Sequence, residues 1–137
     1  MSPISGFSEI EHTADKAVAV WADTLAGLYE EAARAMFSLM ADIRSITPTE
    51  HHDVTLPADD LETAMVDWLS ELLFWRETRK ELYSQFEVVV EASRFHGRFA
   101  GLAGQPTESV VKAVTYHDLH VQQDAAGMWK ATIVFDT

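Results

Sequence analysis

Cysteine is missing from all 137 residues, and that single absence excludes disulfides, thiolate zinc sites, thiol nucleophiles and iron–sulfur clusters together. Any bound metal would have to be held by oxygen or imidazole. Positive charge is scarce: ten Lys and Arg stand against 22 Asp and Glu, a formal net charge of −12. Such a surface repels phosphate backbones, so autonomous binding of RNA or DNA is not expected. No window approaches the roughly 18–20 apolar residues needed to span a bilayer. The opening Met1-Ser2-Pro3-Ile4-Ser5 has neither the basic stretch nor the apolar run of a secretory signal, and a soluble cytoplasmic protein without membrane contact is the expectation. Phosphate loops ending in Lys-Ser/Thr, His-Glu-x-x-His helices, Gly-x-Ser-x-Gly elbows and twelve-residue calcium loops are also lacking. Gly97, Gly101 and Gly104 are spaced as a hairpin and loop would space them.

What is present is core material. Hydrophobic residues make up 47%, with four Trp, seven Phe and three Tyr, enough to fill the core of one domain spanning 1–137. Residues 17–21 read as a buried strand, with Asp15 just before it. Between 24 and 41 the apolar positions Leu25, Leu28, Tyr29, Ala32, Met36, Leu39 and Met40 recur at helical spacing, and Asp23 or Thr24 can cap the first turn. Gly27 is the blemish, costing about 1 kcal/mol if interior. His52-Asp53-Val54-Thr55-Leu56 reads as a short strand ended by Pro57. Asp59 then opens a second helix, with Glu62 in capping-box position and a stripe from Leu61 to Trp75, running to about Leu82. Arg76, Arg79 and Lys80 suit the negative end of its dipole. Strands follow over 86–92 and 94–99, then a loop, a long extended segment over 109–123, and a last strand over 128–136. The order β-α-β-α-β-β-β(-β) predicts an α+β fold, two helices packed as one layer on one mixed, largely antiparallel sheet.

Three clusters could carry chemistry. Glu11-His12-Thr13-Ala14-Asp15 presents two carboxylates and an imidazole on a polar break, although such turns commonly bond their own backbone. In Lys112-Ala113-Val114-Thr115-Tyr116-His117-Asp118, strand alternation would set Lys112, Val114, Tyr116 and Asp118 on one face, a contact site or an outer sheet face. At Phe135-Asp136-Thr137 an aspartate stands one residue from the α-carboxylate. A hard cation such as Ca²⁺ or Mg²⁺ would relieve that repulsion, and a solvated tail is the alternative.

These motifs resemble those of the archease family, small proteins that activate RtcB-type tRNA-splicing RNA ligases. The resemblance rests on Glu11-His12-Thr13-Ala14-Asp15, Trp21-Ala22-Asp23-Thr24-Leu25, Ala35-Met36-Phe37, Asp60-Leu61-Glu62, Val66-Asp67-Trp68-Leu69, Lys112-Ala113-Val114-Thr115-Tyr116-His117 and the stretch from Trp129 to Asp136. It implies a divalent metal, usually described as calcium, on Asp15, Asp136 and Thr137, and partner contacts through His12, Lys112 and His117. It further implies that the chain is a non-catalytic activator, promoting guanylylation and multiple turnover of the ligase and meeting RNA only through it. Lys16, Ala17 and Thr137 depart from the family pattern of an apolar residue, a glycine and a branched aliphatic residue. Two other readings are a small metal-dependent hydrolase using His12, Asp15, His117 and Asp118, and a metal-stabilised adaptor or chaperone.

Overall fold

The computed structural model describes residues 4–10, 15–107 and 110–137. Along them run β1 (Ser5–Ile10), β2 (Lys16–Ala22), α1 (Leu25–Met40), a 3-10 turn (Ile43–Ser45), β3 (Glu50–Pro57), α2 (Leu61–Arg79), β4 (Glu81–Glu91), β5 (Arg94–Ala103), β6 (Ala113–Val114), β7 (Gln122–Gln123) and β8 (Trp129–Asp136). The fold is α+β with two helices, but the strands form two sheets rather than the single mixed sheet expected. A five-stranded sheet has the order β1-β2-β8-β6, with β7 also on β8, and a three-stranded sheet has the order β3-β5-β4. Every pairing is antiparallel.

The physical reason lies in α1. Its apolar stripe accounts for one sheet, yet Ala33 and Ala35, off that stripe, are fully buried too. The helix packs against β1, β2 and β8 of one sheet and β4 of the other, and alanines let both approach closely. At its start Thr24 Oγ1 accepts the Gly27 N–H at 2.9 Å. A Cβ on Gly27 would fall 2.8 Å from that hydroxyl, so the cap itself requires the interior glycine.

The second helix departs from expectation at both ends. Its cap is Asp60, not Asp59, whose carboxylate accepts the Thr63 N–H at 3.1 Å. Glu62 closes no capping box; it accepts the N–H of Val121 at 2.7 Å and ties the helix to the segment before β7. The helix stops at Arg79, where Lys80 adopts a left-handed cap with φ 56°, so Leu82 belongs to β4. At that end the Arg79 guanidinium lies 5.0 Å above the Trp75 ring.

The extended segment expected over 109–123 is mostly irregular. Only β6 and β7, two residues each, pair with β8, and between them the chain turns at Asp118, φ 52°, a conformation that aspartate tolerates. Val111, Leu119 and Val121 are buried, so core packing rather than a ladder holds it. In the interior, Trp68 is fully buried and donates its indole N–H to the Tyr29 carbonyl at 3.0 Å. Nearby, His52 Nε2 lies 2.7 Å from Glu81 Oε1, which also accepts from Tyr83 Oη at 2.9 Å. Among the described residues, no helix is long and apolar enough to cross a membrane.

Candidate functional site at one end of the five-stranded sheet

Three of the motif-bearing segments meet at one end of the five-stranded sheet. Lys16, at the start of β2, is the cross-strand partner of Phe135 in β8. Asp15 precedes the one and Asp136 follows the other, so both aspartates lie at the same end of the β2–β8 pair. Directly opposed residues in an antiparallel pair share a face, so Lys16 lies on the face of Phe135, and strand alternation puts Asp136 on the other face. On the far side of β8, Asp136 pairs with Ala113 of β6, and the Lys112 N–H donates to the Asp136 carbonyl at 2.8 Å. β6 is secured to β8 a second time by Thr115, whose N–H and hydroxyl both donate to the Val134 carbonyl, at 3.0 and 2.9 Å.

Of the residues expected to bind metal, Asp136 is exposed while Asp15 and Thr137 are half-buried. The donors are of the kind a hard cation takes: two carboxylates at one end of the sheet, with Thr137 oxygens one residue on. The Asp136 carbonyl is committed to Lys112, so that residue's contribution comes from its side chain. Among the described residues, no three His, Asp or Glu side chains converge as metal ligands, so the two aspartates would need Thr137 and further oxygens to complete a shell.

Of the expected contact residues, Lys112 is exposed beside Asp136, and His12 lies outside the described residues. His117 is exposed at the turn after β6, where its N–H donates to Thr115 Oγ1 at 3.3 Å and its Nε2 lies 3.2 Å from Asp118. Of the hydrolase quartet, His12 lies outside the described residues; among the described residues Asp15, His117 and Asp118 form no shared ligand cluster, and the His117–Asp118 contact joins exposed sequence neighbours. Sequence reading missed the paired role of Thr115 and the clasp from Glu62 to Val121. The only signal was their position inside motifs, since a side chain bonding distant backbone leaves no periodic trace.

The fold and this site define a small acidic α+β domain in which two antiparallel sheets share a central helix and two aspartates lie at one end of the larger sheet. Residues 7–137 match the model of the archease protein family, and the chain belongs to that family. It is 38% identical to protein archease of Methanopyrus kandleri, covering 95% of this chain and 98% of that one. With protein archease of Methanosarcina mazei the identity is 34%, over 95% and 94% of the two chains. Among solved structures it superposes on a Methanobacterium thermoautotrophicum protein with a TM-score of 0.82 and 29% identity, over 96% and 99% of the chains. An archease from Thermotoga maritima, described as a possible chaperone, gives a TM-score of 0.70 and 25% identity over 93% and 94%.

Proposed function

We propose that this chain is a non-catalytic protein cofactor that activates an RtcB-type RNA ligase, promoting its guanylylation and repeated turnover in tRNA splicing or RNA repair. The observation that most supports this is the convergence of the segments at Asp15, Lys112 and Asp136, far apart in sequence, on one end of one sheet. In this reading Asp15, Asp136 and Thr137 hold a divalent cation, calcium in the first instance. When bound, it neutralises two carboxylates that would otherwise repel each other. Lys112 and His117, with His12, present donors to the ligase beside that site. RNA is met only through the ligase, because a chain carrying −12 repels phosphate.

The test is guanylylation of a purified RtcB-type ligase with and without this chain. Stimulation is the expected result. Binding without stimulation would leave an adaptor, and turnover of substrate by the isolated chain would make it an enzyme.

A further inference from the structure

Away from the sheet end, the outer face of the five-stranded sheet carries a hollow of about 680 Å³, within the roughly 300–1,000 Å³ typical of ligand sites. Its floor is Ala19 of β2 and Thr132 of β8. Trp21 and Met128 supply apolar walls, and Asp118 and Asp124 stand among the polar lining. Alanine at 19 keeps the floor low, and Trp21 lies down on the sheet: a Cβ on Gly6 would fall 2.5 Å from the indole. The two carboxylates are not equivalent. Asp124 is spent on its own turn, accepting the N–H groups of Ala126 and Met128, each at 2.9 Å, and pairing with Lys130 at 3.1 Å. That pair brings no net charge to the hollow; Asp118, facing it from the turn before β7, brings a carboxylate that also contacts His117 Nε2 at 3.2 Å, and His120 completes this side of the lining.

We propose that this hollow receives an arginine side chain presented by a basic protein partner. An apolar trough ending in an indole suits the aliphatic stem and planar face of arginine, and a carboxylate at the rim suits its fork of donors. The field of a −12 molecule draws a cationic partner in and turns a phosphate-bearing one away. The inference goes beyond the ligase reading and does not rest on it, because its probe is a peptide.

The experiment is a nuclear magnetic resonance titration of the full chain with acetyl-Gly-Arg-Gly-amide, against the same peptide carrying neutral citrulline. Saturable shifts at the Trp21 indole and at residues 19, 130 and 132 are expected with arginine and not with citrulline. Asp118→Asn keeps a residue that accepts positive φ and removes the charge; it should weaken binding by up to about fivefold, the range of an exposed ion pair. Glu91→Gln, the same charge change on the three-stranded sheet, should leave affinity unaltered. Equal binding of the citrulline peptide, equal loss in both variants, or shifts at these residues produced by guanosine and not by the arginine peptide would each overturn the proposal.

Discussion

Lys112 is exposed while its own backbone N–H is bonded to Asp136, so its position is fixed by the sheet, and among the described residues its ammonium has no partner. Lys112→Ala should therefore leave stability within about 0.5 kcal/mol and sharply reduce stimulation of ligase guanylylation. Arg94→Ala, exposed on the three-stranded sheet, is the matched control; equal stimulation by both variants would return Lys112 to solvated surface. The aspartates beside it make a separate prediction. Calcium should raise the melting temperature of the chain, because a ligand that binds only the folded state stabilises it, and Asp15→Ala should remove the increment. An unaltered calcium shift in that variant would take Asp15 out of the site. Glu30 gives the pH dependence. Burial holds its carboxyl above the usual range, only partly offset by the Val88 N–H it accepts at 2.8 Å and by Arg34. A raised folded pKa favours the protonated form, so its contribution is present at low pH and lost as pH rises through that value. Glu30→Gln keeps an acceptor oxygen for Val88; thermal melts should show it more stable than the parent at pH 7, with the gain shrinking as pH falls toward 4.

At the scale of elements, packing across layers decides what strand and helix patterns leave open. β5 crosses the Trp68 indole so closely that a Cβ on Gly97 would lie 2.4 Å from its ring. Gly97→Ala should cost about 1–3 kcal/mol by overpacking, read as a lower denaturation midpoint with unchanged slope; a neutral result would mean that β5 can lift away. The helices and the strands over 52–56, 86–92 and 128–136 were readable because each carries its own period and punctuation. β1 was not: Ile4, Phe7 and Ile10 do not alternate at period two, and only pairing along the whole of β2 makes that stretch a strand. The division into two sheets was equally silent, since hydrogen-bond partners across a helix are not encoded in local pattern. Its one trace was the alanines of α1 outside the apolar stripe. The site was half readable: Asp15, Asp136 and Lys112 could be named from motifs, while their meeting depends on the antiparallel register of three segments. Asp118, expected on a strand face with Lys112, instead sits in a turn.

For the whole molecule, the ratio of 22 acidic to ten basic residues and the grouping of Asp15, Asp136 and Lys112 at one sheet end point the same way. A cationic, RNA-handling partner would be drawn to this surface by its field and oriented by the few donors that interrupt it. The central claim is that such docking makes the partner ligase more active rather than merely occupied. It is tested most directly by the yield of guanylylated RtcB-type ligase formed from GTP in the presence and absence of this chain, at a concentration where the two proteins associate. The account predicts more guanylylated ligase with the chain present, and a smaller increase with Lys112→Ala. An unchanged yield from a ligase demonstrably bound to the chain would contradict it.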